Sequence, residues 1–184
     1  MTLHKIPYNN LKSLIRIHLS TKENPQTQET IKKLLRAKKR GYLNKSELEI
    51  ICLWKSPRAI RHIKRNRENT IINTTKAAFR VRSERIKLEL LTSLHGVSVP
   101  MASSILTLLN PWRYGIIDIR VWQLLYALGS VNKNAKGVNF DFNQWYRYLV
   151  IIRYYARHYK VKARDIERTL FYVHGIYQKG LLYK

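Results

Sequence analysis

Between Leu91 and Gly129 the chain reads LTSLHGVSVPMASSILTLLNPWRYGIIDIRVWQLLYALG, and it holds a single carboxylate there, Asp118. Apolar residues at helical spacing flank a short turn, Leu94-His95-Gly96-Val97-Ser98. The chain must reverse between these helical segments within a few residues. Gly96 permits a positive φ for that reversal. Pro100 stands where the first turn of the following helix tolerates proline. Backbone N–H groups at such a turn suit a phosphate, although an ordinary αα-hairpin has the same look. A carboxylate among Ile116, Ile117, Ile119, Val121 and Trp122 is unfavourable unless paired or used. Asp118 reads as the N-cap of a helix over 119–128. A carboxylate held so also suits the stabilisation of a developing cation.

The rest of the chain carries the same helical period and few strand signals. Leu11, Leu14, Ile15 and His18 share one face of a helix over 8–19. Asn24-Pro25 breaks the chain, and Thr27 to Arg40 predicts one helix ending at Gly41. Asn44 and Glu47 have capping-box spacing and open a helix through Leu53. Ser56-Pro57 predicts another, to about Asn66. Further helices are predicted over 68–81, 83–94, 100–109, 142–159 and 163–178, with a turn-rich loop at 130–140. Asp141 and Asp165 read as helix-start residues on polar surfaces. The fold class is all-α, in one domain over 1–184.

Charge narrows the partner. Lys and Arg number 35 against 11 acids, a net +24, with the basic residues spread over the whole length. That excess points to a polyanion, most simply nucleic acid. Basic clusters at 32–40, 58–67, 80–87 and 153–168 alternate with apolar residues and read as helices with a basic face. The one cysteine, Cys52, excludes an internal disulfide framework and a four-Cys iron–sulfur cluster, and suits a reducing compartment. No apolar run of about 18 residues exists, so no membrane span is expected. The N-terminal segment reads as an amphipathic helix rather than a signal peptide. Metal-ligand and nucleophile motifs are absent. In the helix ending near Leu53, Trp54 reads as core and Lys55 and Arg58 as solvated. The tyrosines and Trp145 within 144–159 read as core and helix interface.

The Gly96 turn, the Ala-containing helix after it (residues 101–106), and Ile-Asp-Ile-Arg-Val-Trp-Gln centred 22 positions beyond Gly96 together form a pattern. It resembles the helix-hairpin-helix (HhH-GPD) superfamily of DNA glycosylases, in a small form without an iron–sulfur cluster. The resemblance covers about residues 85–130, and Ser98 stands where the family has its second hairpin glycine. It implies a two-lobed helical fold around a DNA-binding cleft, with lobes of roughly 30–130 and of 1–29 plus 131–184. It implies a monomer that binds duplex DNA holding a damaged or modified base, flips that base and excises it, in base excision repair. Asp118 is then the catalytic residue, and Leu94, His95, Gly96, Val97, Ser98 and Val99 hold the DNA backbone. Trp54 would stack on the flipped base, Lys55 and Arg58 would take flanking phosphates, and Glu49 would serve as a second acid. No cofactor is implied beyond a monovalent cation at the hairpin. The resemblance places the protein in the cytoplasm with the nucleoid, or in the nucleus. Strand-cleaving members carry a lysine two positions after the second glycine; Pro100 stands there, so a monofunctional, water-using enzyme is expected. A pocket rich in aromatics and poor in acids leans towards an alkylated purine. The alternatives are a non-catalytic hairpin DNA binder and a basic RNA-binding protein.

Affinity for duplex DNA is expected to fall steeply with salt, as for about 4–8 neutralised phosphates, with a log–log slope of about −0.9 per phosphate. Anisotropy titrations from low to physiological salt measure it, and a flat response would remove DNA as the partner.

Overall fold

The computed structural model of the chain describes residues 6–178, and among these the architecture is all-α. The first helix, α1 (Leu11–His18), starts at Asn10, whose side chain accepts from the Ser13 N–H. It buries Leu11, Leu14 and Ile15. Asn24 caps the next helix rather than breaking the chain, and Pro25 opens it as α2 (Pro25–Lys33). The single helix expected over 27–40 is two. Leu34 separates α2 from α3 (Leu35–Arg40), and α3 ends at Gly41 with φ +80°. A capping box of Asn44 and Glu47 starts α4 (Lys45–Lys55), and Glu47 also receives Arg40 at 2.5 Å.

After α4 the expected helix to Asn66 is shorter than its sequence suggests. Ser56 makes no side-chain cap, a 3₁₀ turn covers Pro57–Ala59, and only α5 (Ile60–Ile63) is α-helical. Asn66 ends this segment by turning its side chain to the hairpin instead. Its Nδ2 donates to the Ile63 and His95 carbonyls, and its Oδ1 accepts from the His95 N–H. Next come α6 (Glu68–Arg80), α7 (Glu84–Thr92) with Ser83 as cap, and α8 (Val99–Leu109). The chain closes with α9 (Ile119–Ala127), α10 (Phe142–Tyr159) and α11 (Ala163–Tyr177).

Every residue of α8 from Met101 to Leu109 is buried, which makes it the axle of the molecule. Its hydroxyls are satisfied internally: Ser103 and Ser104 donate to the Pro100 carbonyl and Thr107 to the Ser103 carbonyl. The helices pack in two sets. One contains α2 to α8, joined through α4·α8, α6·α7 and α7·α8; the other contains α1, α9, α10 and α11. They share a continuous hydrophobic core and meet through α7·α10. The segment 114–118 crosses from one set to the other.

That crossing is held from three sides. The Ile117 N–H donates to Ser103 Oγ on α8 (3.2 Å), and the Tyr148 hydroxyl of α10 donates to the Ile116 carbonyl (3.0 Å). Gly115 lies so close to its neighbours that a Cβ there would come within 2.8 Å of Glu167 Cβ, Ile152 Cδ1 and the Tyr148 hydroxyl. Asp165, expected on a polar surface, is buried and paired with Arg168. The two arginines of α11, Arg164 and Arg168, turn inward because they pair with Glu23, Glu167 and Asp165.

Gly96 and Gly41 have nearly the same φ, +79° and +80°, but different surroundings. At Gly96 a Cβ would lie 2.8 Å from His62 Cβ and 3.0 Å from the Ile63 nitrogen; at Gly41 nothing lies within 4 Å. Gly41→Ala should therefore destabilise by about 1–2 kcal/mol, the left-handed penalty alone. Gly96→Ala should reach about 2–4 kcal/mol, because overpacking adds to it. Urea unfolding of both variants measures the difference, and equal losses would mean that the hairpin does not press on α5.

Candidate functional site

Asp118 sits at the mouth of α9 as its N-cap, with Oδ1 accepting from the Val121 N–H at 3.1 Å. Its other oxygen faces Lys55 Nζ at 3.4 Å. The carboxylate is thus fixed by a backbone donor on one side and a cation on the other. Its side chain keeps 16% exposure and opens onto two clefts.

The first cleft, of about 540 Å³, has the hairpin as one wall: Gly96, Ser98, Val99, Pro100 and Met101 border it. Opposite stand Lys55, Ser56, Arg58 and Arg120. The hairpin residues divide by role. Leu94 and Val97 are buried in the core, and His95 is tied through its backbone to Asn66. Gly96, Ser98 and Val99 remain at the cleft. Ser98 has φ −77° and ψ 171° and makes no side-chain cap, so the first-turn N–H groups of α8 keep their polarity for a ligand. Serine in place of the second glycine introduces no strain here, because that backbone is extended.

The second cleft, of about 950 Å³, lies on the other side of Asp118, between the end of α4, the segment 22–27 and one face of α11. Trp54, Phe171 and Tyr172 supply its rings, and Glu167 borders it while only 2% exposed. Burial pushes the Glu167 carboxyl up, Arg164 pulls it back, and the Asp118 charge adds to the rise. Burial likewise pushes the Tyr148 hydroxyl well up, reinforced by Glu167 and Asp118. Arg164 spans Glu23 and Glu167, and Arg120 lies 4.8 Å from the Phe171 ring centroid. The cleft is not acid-poor, as the sequence suggested. Glu23, Asp118 and Glu167 stand against five cations: Lys22, Lys55, Arg120, Arg164 and Arg168.

The structure therefore brings together Asp118, the hairpin residues Gly96, Ser98 and Val99, and Trp54, Lys55 and Arg58. Glu49 is half-buried on α4 and borders neither cleft; its charge helps burial push the Cys52 thiol up. Sequence reasoning missed Arg120, Arg164, Glu167 and Phe171. Their signal is the spacing of 164, 167, 168 and 171 on a helix that packs against α9, which becomes readable only once that pairing is known. Two carbonyls of the hairpin carry hydrogen bonds. The Leu94 carbonyl accepts from the Val97 N–H, and the His95 carbonyl accepts from Asn66. Among the described residues no cluster of His, Cys, Asp and Glu suits a metal ion.

His174 reports the field behind the site. Its Nε2 meets Gln123 Oε1 at 3.1 Å, and its Nδ1 is buried without a hydrogen-bond partner. Burial first, then the Arg120 guanidinium, lowers the imidazole from its ordinary 6.5 to about 4, with Asp118 pulling the other way. Between those values the unfolded chain binds a proton that the folded one refuses. Stability should thus fall as pH drops from about 6.5 to about 4, by about 3 kcal/mol in total. His174→Gln should flatten that interval in urea titrations; an unchanged slope would place the acid sensitivity elsewhere.

Comparison of the chain with protein families, curated proteins and solved structures finds no match.

Proposed function

We propose that the protein is a DNA glycosylase that extrudes one damaged or modified base from a duplex and hydrolyses its N-glycosidic bond. The observation that carries this reading is Asp118, a fixed carboxylate on the shared wall of two clefts. One of those clefts is faced by a helix-hairpin-helix turn and cations, the other by aromatic rings. Phosphates of the strand would lie against the Gly96–Ser98–Val99 backbone with Arg58 and Lys55 nearby, contacts that position without reading sequence. The extruded base would enter the second cleft between Trp54 and Phe171, as aromatic pockets take flipped bases. Asp118 then faces the sugar. As the bond to the base breaks, positive charge gathers on the sugar ring, and a preorganised carboxylate stabilises it without reorganisation. The two contact sets and the cleft between them suit the two-lobed fold of such enzymes, and repair of single bases in duplex DNA is the natural setting.

The cations around the second cleft weigh on the substrate. Five positive groups against three carboxylates disfavour a positively charged alkylated purine and favour a neutral base.

Whether water or an amine completes the reaction turns on two lysines. Lys87 is committed elsewhere, its Nζ donating to the Ala78 and Val81 carbonyls at the end of α6. Lys55 is the lysine at Asp118, and its 3.4 Å approach favours a second reading, in which its amine attacks the sugar and the strand is cut. We keep the hydrolytic reading because the Lys55 ammonium already serves Asp118 as ion partner.

Asp118→Asn retains an acceptor for the Val121 N–H and so the cap. It should lower base release by a factor of about 10² or more, while duplex affinity and melting temperature stay nearly unchanged. The measurement is a panel of duplexes, each with one altered base, followed by alkaline cleavage of abasic sites. Normal turnover by the variant removes Asp118 from the chemistry, and no release from any duplex by the wild type leaves the non-catalytic binder. Borohydride in the same reactions should trap no adduct; one that vanishes in Lys55→Ala establishes the amine route.

A further inference from the structure

At the end of α8 away from the hairpin, the chain turns through Asn110, Pro111 and Trp112. The Trp112 indole is 64% exposed, whereas Trp122 and Trp145 are buried and Trp54 half-buried. It is not carried on a loose loop. The Trp112 carbonyl accepts from the Ala163 N–H (3.3 Å) and the Pro111 carbonyl from the Arg164 N–H (3.1 Å), which fixes the turn to the start of α11. Beside the ring opens a cleft of about 720 Å³, bordered by Arg113, Arg153, Arg157 and Lys160 and by no carboxylate. Glu84 holds Arg113 and Arg153, each at 2.8 Å. Arg157 and Lys160 join no such ion pair among the described residues, and Lys162 Nζ lies 5.8 Å from the Trp112 ring centroid.

A rigid, exposed ring among cations selects a ligand that is both flat and anionic. Inorganic phosphate satisfies the charge but not the ring. A second copy of the chain brings +24 against +24. A duplex offers phosphates, yet its bases are stacked on each other and present no free face. A nucleotide of an unpaired strand meets both demands.

We propose that this cleft is a second nucleic-acid site, which takes an unpaired strand by stacking one base on Trp112 and pairing the adjoining phosphates with Arg157 and Lys160. It shares no bordering residue with the two clefts at Asp118. An α-helix of the length of α8 separates it from the hairpin by about 16 Å along the axis. The site is therefore independent of the glycosylase reading and holds whether or not Asp118 is catalytic.

The experiment is anisotropy titration of the full chain with a labelled oligothymidylate, and with a blunt duplex in parallel. Trp112→Ala should weaken oligothymidylate binding by about fivefold or more and leave the duplex nearly unaffected, while Trp112→Phe should restore most of the loss. Arg157→Gln with Lys160→Gln should weaken the single strand and reduce its salt slope by about two phosphates' worth. Acrylamide quenching of tryptophan emission should fall when oligothymidylate binds wild type and change less in Trp112→Phe. Trp112 is exposed, so the variants are expected to fold, which circular dichroism checks; should Trp112→Ala fail to fold, the double cation variant tests the same cleft. Unchanged single-strand affinity in these variants overturns the proposal, as does an equal loss for strand and duplex. A loss confined to phosphatidylserine vesicles would assign the cleft to anionic lipid and overturn it too.

Discussion

The burial of α8 on all sides is the constraint from which the rest of the molecule follows. A helix with no solvent face must be surrounded: α2, α3, α4 and α7 pack on it, and the crossing segment reaches it through Ile117. Its three hydroxyl residues survive burial by bonding back to the helix's own carbonyls. One of them does more: Ser103 also accepts from the Ile117 N–H and so sets the height at which the chain passes α8. The hairpin is the entry to that helix, and Asp118 lies one residue beyond the contact with it. Turn and carboxylate are near each other because both are referenced to the same buried cylinder.

Asp118 serves the fold and the cleft with different atoms. One oxygen completes α9, and the other meets Lys55 from a helix 63 residues earlier in the chain. The cap and the ion pair together fix the orientation of the carboxylate. Glu167, close by and wholly buried, is raised by burial, pulled back by Arg164 and raised further by the Asp118 charge.

Much of this was legible in the residues. Caps at Asn44, Ser83, Asp118 and Asp141 announce four helix starts, since local hydrogen bonding decides them and needs no partner helix. The Gly96 turn and the apolar run of α8 announce a buried hairpin. The failures share one cause. The split at Leu34, the shortness of α5 and the burial of Asp165 are decided by what packs against them, and no local pattern carries that. Asn66 looked like the end of a helix, and it is a clamp on the hairpin 29 residues away. The aromatic and ionic wall that α11 contributes was invisible for the same reason. Its residues are spaced as in any amphipathic helix, and only the packing of α11 on α9 turns that face towards Asp118.

The backbone at Ser98 bears on how such turns are described. A hairpin motif spelled in letters asks for glycine twice; spelled in dihedral angles, this turn asks for it once, at Gly96. The second position lies in extended space that every residue visits. A small polar residue fits there without backbone strain. A pattern that demands both letters passes over turns that need only one left-handed residue. A search on torsion angles, with one left-handed residue flanked by two helices and a capping acid downstream, would retain them.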